Sequence, residues 1–562
     1  MTDPDNFLSL GSPRFSGAGP DGSAAQAPAA EGPRSAWRRV LADFGPAKAA
    51  LQVSGDFAVG LRQTDGSSFL AVDRFGMQTL CYRVDGGQLR FAARADSLAD
   101  AGTPVDPQAT FDYLYFHCIP SPRTIFDGVH RLPPGHYAHF VNGTLTVAPY
   151  WSPRFEAPST ESFESLRGEF RRLLKDAVRQ QLDGSKPACF LSGGTDSSTV
   201  AGLIGEVAGR PAATYSIGFE AQGYDEMAYA RIAARQFGTE HHEYYVTPAD
   251  LVRSIGEVAA SYDQPFGNSS ALPAYYCARM ARDDGVAKLL AGDGGDELFG
   301  GNSRYAMQRI FSWYGLLPGA VRRRLMEPVL GRPSARRVPL VRKAAGYVEQ
   351  ARVPMPDRLQ MYNLLRRLGT GEVLTPALLA RIDLGDAIRQ QRGVWSQAEA
   401  TSQIDRTLAF DWRYTLAESD LPKVRGTTQL AGIGVGFPFL DEALLAFSMR
   451  LPAHYKLKGL KLRWFFKEAL RGFLPDAILI KKKQGFGLPF GLWATKNPAL
   501  KQLAVDSLGS LSTRGLVRPE FMKTLVDTHL PAHPGYYGEM VWILMMLEQW
   551  MRAHAPDFKL RA

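Results

Sequence analysis

Ala188-Cys189-Phe190-Leu191-Ser192-Gly193-Gly194-Thr195-Asp196-Ser197-Ser198-Thr199-Val200 is the stretch on which the reading of this chain turns. Ala188 to Leu191 is a short apolar run of the kind that forms a buried strand. It passes through Ser-Gly-Gly and continues into residues able to start a helix. Two adjacent glycines let the backbone approach a ligand closely, because neither carries a Cβ. Small hydroxyls and amide N–H groups at a helix N-terminus then form a cradle suited to phosphate oxygens. The loop is not a Walker A sequence, since G-x-x-x-x-G-K-[ST] occurs nowhere in the chain.

Ser-Gly-Gly-x-Asp-Ser-Ser resembles the pyrophosphate loop of the ATP-pyrophosphatase families, which cleave ATP between the α and β phosphates. The flanking sequence fits a doubly wound sheet. Leu166, Phe170, Leu173, Leu174, Ala177 and Val178 have helical spacing and lead into the first strand. After the loop's helix, Ala212 to Phe219 reads as a second buried strand. Asp225 and Glu226 open a helix that ends near Phe237-Gly238, and His241 to Val246 is a third strand. Such alternation predicts parallel βαβ units, with ligands at the C-terminal ends of the strands. His241-His242-Glu243 is read as a strand edge, because adjacent residues on a strand face opposite ways and do not converge on one metal ion.

The totals narrow the classes. A chain of 562 residues exceeds one core and predicts two or three domains. Its 45% hydrophobic and 22% charged residues describe a globular protein, with no apolar run long enough for a membrane span. Met1 to Ala30 is rich in Gly, Pro, Ala and Ser and is expected to be a disordered tail, not a signal peptide. Cys81, Cys118, Cys189 and Cys277 are scattered, which argues for reduced thiols, no zinc site and a cytoplasmic location. The net charge of +9 is spread out and unaccompanied by a nucleic-acid-binding motif; it suits ATP, pyrophosphate or an acidic substrate equally well and leaves nucleic acid the minority reading.

Before the linker, Gly55–Leu61, Phe69–Gly76, Leu80–Val84 and Leu89–Ala93 read as short strands joined by Asp65-Gly66-Ser67 and Asp85-Gly86-Gly87 turns. A second chemical cluster follows the apolar run Ala287–Ala291. Gly292-Asp293-Gly294-Gly295-Asp296-Glu297-Leu298-Phe299-Gly300-Gly301 interleaves five glycines with three carboxylates. Such a segment repels itself and gains order only beside a compensating cation.

The two loops together, with Asp263-Gln264-Pro265-Phe266-Gly267-Asn268-Ser269-Ser270, Asp420-Leu421-Pro422-Lys423-Val424-Arg425, Phe437–Asp441, Arg463–Leu470 and Lys483-Gln484-Gly485-Phe486-Gly487, resemble the asparagine synthetase family. Tyr113 to Tyr150 resembles the later part of that family's class II glutamine amidotransferase domain. The resemblance implies an α/β architecture: a truncated, β-rich, Ntn-hydrolase-like domain plus a doubly wound parallel-sheet ATP-pyrophosphatase domain with a helical C-terminal part. The expected boundaries are a tail at 1–35, a degenerate glutaminase-like domain at 36–150, a linker at 151–160 and the synthetase-like domain at 161–555.

Departures from the family carry information. Met1 precedes Thr2 where the family's mature chain begins with a catalytic cysteine, and the early glutamine-gripping segments have no counterpart. The resemblance therefore implies a first domain that has lost glutaminase activity. Ile433-Gly434-Val435-Gly436 stands where relatives carry Leu-Glu-x-Arg.

The resemblance further implies MgATP-dependent amide synthesis through an acyl-adenylate. Ser192, Gly193, Gly194, Asp196, Ser197 and Ser198 would cradle pyrophosphate, with Gly292 beside them. Asp196 and Asp296 would hold Mg²⁺. Lys483 would stabilise developing phosphate charge, with Lys481 and Lys482 solvated, and Asp293 would orient the nucleophile or take its proton. Leu191 and Ile217-Gly218-Phe219 would pack on adenine or hydrogen-bond it through the backbone.

The expected substrate is aspartate or a related carboxylate, joined to an amine or ammonia. The alternatives are a lasso-peptide cyclase or β-lactam synthetase-like ligase of the same family, an inactive scaffold, or a tRNA-modifying ATP-pyrophosphatase. A partner that supplies ammonia or processes a leader peptide is compatible with this reading; nucleic acid and membrane are not expected partners.

Overall fold

Strand Phe57–Arg62 is flanked on both sides by buried apolar layers, and this sets the N-terminal architecture. Its alternate residues point opposite ways. Phe57, Val59 and Leu61, with Phe69 and Ala71 of the neighbouring strand, pack under Trp37, Val40 and Leu41 of helix Pro33–Phe44. Ala58, Leu70, Val72, Ala138 and Phe140 face Leu80, Tyr82, Leu89 and Phe91 of a second, three-stranded sheet. A helix and two sheets are thus stacked on one another. The computed structural model describes residues 7–15, 32–100, 102–322, 324, 327–330, 339–481 and 487–561.

The main N-terminal sheet is antiparallel, in the order Phe7–Gly11, Phe57–Arg62, Ser68–Val72, His136–Val141, Thr144–Pro149. Its first strand corrects the sequence reading, which placed these residues in a disordered tail. Phe7 pairs with Leu61 and Gly11 with Phe57, and the Phe7 ring is buried. A Gly- and Ala-rich neighbourhood hides a five-residue strand whose order comes from the sheet edge it completes. The Asp-Gly turns form as expected: Gly86 and Gly87 both take positive φ, +54° and +76°, between the paired Asp85 and Gln88.

The second unit is built on a wholly parallel five-stranded sheet in the order Glu240–Val246, Ala213–Phe219, Ala188–Phe190, Lys288–Leu290, Gly434–Gly436. In chain order this is 3-2-1-4-5, so the direction of winding reverses between the strands at 188 and 288. The fifth strand falls within Ile433-Gly434-Val435-Gly436. Gly436 pairs with Leu290, and a Cβ there would stand 2.9 Å from the Leu290 side chain. Two glycines in three residues carry no strand signal, so only the sheet reveals it.

Helix Phe163–Gln181 buries Leu166, Phe170, Leu173, Leu174, Ala177 and Val178, the stripe its spacing predicts. Phe170 sits among the rings of Phe299, Phe447, Phe465 and Phe466 at 5.0–5.7 Å. Helix Pro534–His554 is buried along most of its length. Its Trp542 and Trp550 indoles donate to the carbonyls of Gly267 and Tyr262, each at 3.0 Å. It thereby fixes the Asp263–Ser270 segment. No helix among the described residues is long and apolar enough to cross a membrane.

One buried carboxylate ties the two units together. Glu418, 2% exposed, lies in the wide-turn helix Trp412–Asp420. It accepts from the Ser121 amide at 3.1 Å and hydroxyl at 2.7 Å, and pairs with Arg413 at 3.0 Å and with Arg131. Burial pushes the Glu418 carboxyl up, but the two guanidiniums and the Ser121 donors outweigh it and hold it below the usual range. A group lowered in this way stabilises the fold above its unfolded pKa and loses that contribution as pH falls through the folded value. Glu418→Ala strands buried Arg131 and half-buried Arg413, and is expected to cost about 3 kcal/mol in denaturant unfolding. Glu418→Gln should shrink the acid-induced loss of stability relative to wild type.

Candidate active site

Both glycine-rich loops leave the C-terminal ends of adjacent strands at the point where the winding reverses. They line one cavity of about 1070 Å³. The first begins after Ala188–Phe190. Gly193 takes φ +68°, and a Cβ there would run into the backbone at Tyr229 and Ala230, so only glycine passes. Ser192 folds back on the helix start: its amide donates to Ser197 Oγ at 3.1 Å, and the two hydroxyls lie 3.0 Å apart. Helix Thr195–Ala208 has Gly194 at its N-cap and no side-chain cap, so its first amides point toward the cavity end of the loop.

The second loop begins after Lys288–Leu290 and approaches the first without intervening side chains. A Cβ on Gly292 would stand 2.9 Å from Ser197 N, one on Gly295 would strike Asp196 Oδ1, and one on Gly301 would strike Asp296 Oδ1. These glycines admit the carboxylates of Asp196 and Asp296 to one place. What joins them there is Arg463. Its Nη1 lies 2.6 Å from Asp196 Oδ2, 2.7 Å from Asp296 Oδ1 and 2.9 Å from Thr195 Oγ1, while Nη2 pairs with Asp196 Oδ1. Two hard carboxylate donors already converge on one cation, and that donor set also suits a divalent ion such as Mg²⁺.

A second pole of the cavity holds Asp293, Asp420 and Lys423. The Lys423 ammonium is 2.9 Å from Asp420 and 3.5 Å from Asp293. Burial pushes the Asp293 carboxyl up, with the Lys423 charge opposing it. For Lys423, burial is overcome by the two carboxylates, which hold the ammonium in its charged form. A carboxyl raised by burial beside a fixed cation is suited to proton transfer.

Of the residues singled out from sequence, Leu191, Ser192, Gly194, Asp196, Ser197, Ile217, Gly292, Asp293 and Asp296 line the cavity. Gly193 shapes the turn from behind. Ser198 is fully buried within the helix and is not among the residues that line the cavity. Leu191 spends its backbone on the sheet, its N–H donating to Tyr215 at 2.9 Å and its C=O accepting from Ser216, so it offers an apolar wall. Phe219 is buried against Trp493.

Lys483 and the Gln-Gly-Phe-Gly segment fall on 482–486, outside the described residues, apart from Gly487. Lys481 is not the solvated cation expected. Its side chain is 8% exposed, lies 2.8 Å from Glu226, and sits over the Tyr229 ring on the cavity wall. Sequence reasoning gave no role to Arg463, Lys423 or Asp420, although all three lie in segments that resemble the family.

Among the described residues one cluster of potential ligands converges, Glu240, His242 and Asp284. Lys186 supplies its counter-charge, 3.2 Å from Glu240 and 2.7 Å from Asp284.

Residues 169–552 match the asparagine synthase family, and residues 39–151 match the glutamine amidotransferase domain. The chain is 24% identical over 514 residues to asparagine synthetase [glutamine-hydrolyzing] 1 of Bacillus subtilis, covering 90% of this chain and 78% of that protein. It is 26% identical over 532 residues to a putative asparagine synthetase [glutamine-hydrolyzing] of Mycobacterium bovis, covering 89% and 76%. A putative asparagine synthetase [glutamine-hydrolyzing] 2 of Methanocaldococcus jannaschii is 33% identical over 246 residues, covering 42% and 47%. The fold and the paired loops define an ATP-dependent carbon–nitrogen ligase. The chain belongs to the asparagine synthase family.

The close loop contact makes a sharp expectation. Gly301→Ala pushes a methyl group into Asp296, so nucleotide affinity measured by calorimetry should fall about tenfold or more, while Gly205→Ala, with nothing around its Cβ position, should leave it unchanged.

Proposed function

We propose that this chain forms an amide by activating a carboxylate with ATP. The carboxylate oxygen attacks the α-phosphorus, the α–β phosphoanhydride bond breaks, and pyrophosphate leaves with the electron pair of that bond. The acyl-adenylate is then attacked by an amine nitrogen, which loses a proton as AMP departs. The observation that carries this reading is the meeting of Asp196 and Asp296 through two glycine-rich loops, with a separate Asp293–Lys423 pole in the same cavity.

Each pole has its own task. The Ser192–Ser197 loop and the uncapped helix start present hydroxyls and amides to the departing pyrophosphate. Mg²⁺ held by Asp196 and Asp296 would neutralise phosphate charge. Lys483 is assigned to the same phosphates. Leu191 and Ile217 form the apolar side on which the nucleoside rests. Asp293, kept basic enough by its raised pKa, takes the proton of the attacking nitrogen, and Lys423 holds the carboxylate in place.

The nitrogen is proposed to come from ammonia or a free amine, and not from glutamine hydrolysed by the N-terminal unit. All four cysteines are buried, and burial pushes each thiol up, away from the thiolate a nucleophile needs. Aspartate with ammonia is the first substrate pair to test.

Pyrophosphate release should require Mg²⁺, ATP and a carboxylate. Aspartate with ammonia should support it and glutamine should not replace ammonia; turnover driven by glutamine would contradict the loss of glutaminase activity. Release with a peptide alone would keep the chemistry and change the substrate. Asp293→Asn should lower turnover about 100-fold. In wild type the rate should climb with pH along an acid limb displaced upward from an ordinary aspartate, because the working carboxylate exists above its raised pKa; Asp293→Asn should flatten that limb.

A further inference from the structure

Arg463 belongs to neither glycine-rich loop, yet it holds both. Its guanidinium engages Asp196 on two oxygens and Asp296 on one, and it lies 3.8 Å from the centre of the Phe466 ring. The side chain is 5% exposed. Its backbone takes φ +53°, the left-handed region that a long side chain enters at a cost, and its N–H donates to Gly300 at the end of the second loop. Strain of this kind persists where the surroundings impose it, commonly at binding sites. One turn further along the same helix, Lys467 lines the same cavity, where the charges of Asp296 and Asp196 act on its ammonium.

The oxygens that Arg463 engages are those assigned to Mg²⁺. A magnesium ion takes oxygens at about 2.0–2.1 Å in near-octahedral order. Asp196 and Asp296 cannot serve it fully while also accepting the Arg463 fork. A guanidinium freed from them remains in the cavity with donors whose planar spacing matches phosphate oxygens.

We infer that Arg463 is an exchangeable counter-ion: it yields Asp196 and Asp296 to the metal and takes oxygens of the nucleotide's phosphate chain, with Lys467 as a second phosphate contact beside it. The inference rests on the ATP reading above. Arg463 is thus a positioning residue for the two carboxylates and a binding residue for ATP.

Opposite signs test it. Using the full chain, Mn²⁺ alone is titrated by electron paramagnetic resonance, and adenosine, ADP and ATP are titrated at fixed Mg²⁺ by calorimetry. Arg463→Met should bind Mn²⁺ about tenfold tighter and ATP about tenfold weaker, with adenosine unchanged. Arg463→Lys, which keeps the charge and loses the fork, should shift both affinities the same way by less. Lys467→Met should weaken ATP about tenfold and tighten Mn²⁺ by less than Arg463→Met does, since Lys467 acts on Asp196 and Asp296 through space without sharing their oxygens. Unchanged or weaker Mn²⁺ binding in both Arg463 variants, with melting temperatures showing them folded, would overturn the exchange. Should Arg463→Met fail to fold, Arg463→Lys and Lys467→Met decide the question. If wild type releases pyrophosphate normally and only these shifts are missing, the exchange fails and the activity stands. Wild type binding neither Mn²⁺ nor the phosphate chain would sink both.

Discussion

Two carboxylates that belong to different loops share one arginine, and the arrangement of the second unit follows from that requirement. Asp196 and Asp296 are 100 residues apart in sequence, and Arg463 is farther from both. Like charges at hydrogen-bonding range are held together only beside a cation, and a buried cation is tolerated only when paired. The parallel sheet brings the loops side by side because their strands, at 188 and 288, are neighbours across the reversal of winding. Glycines 292, 295 and 301 then remove the Cβ atoms that would keep the carboxylates apart. The aromatic cluster around Phe170 supports the helix that carries Arg463 through contacts with Phe465 and Phe466.

The N-terminal unit is attached through ion pairs at its edge, with buried Glu418 at one place and half-buried Glu442 at another. Glu442 accepts from the Gly55 amide at 2.9 Å and pairs with Arg74 at 3.0 Å. Between these points the chain running from the N-terminal sheet to the second unit is docked: Trp151 and Phe155 stack on Trp412. That same wide-turn helix, Trp412–Asp420, presents Thr415 and Asp420 to the cavity. Helices of this wider winding recur at functional sites. The N-terminal unit therefore braces a wall of the reaction cavity, which gives it a structural task independent of any hydrolytic one.

Much of this was legible in the residues themselves. The apolar run at 188, the stripe from Leu166 to Val178 and the Asp-Gly turns each obey local rules, and the structure follows them. The carboxylates of the second loop were legible because glycine beside clustered charge makes a poor structural segment. What escaped depends on distance or on context. The strand Gly434–Gly436 has almost no side chains to signal it and forms only beside Lys288–Leu290. The edge strand Phe7–Gly11 is hidden by its flanks. Lys481 stands in a run of three lysines, whose usual fate is solvent, and only the fold brings Glu226 and Tyr229 to it. Arg463 stands at the head of an aromatic helix, and its partners lie 267 and 167 residues away. The Ser198 hydroxyl was placed with its neighbours by motif alone, whereas helical geometry turns it inward.

In the proposed reaction a carboxylate oxygen attacks the α-phosphorus of ATP in the cavity between these loops. Its most direct test follows the oxygen. A carboxylate substrate labelled with ¹⁸O, turned over with ATP and an amine, should transfer one labelled oxygen to AMP, detected by ³¹P NMR or mass spectrometry. Label appearing in inorganic phosphate with formation of ADP, or AMP formed without label from the carboxylate, would contradict it.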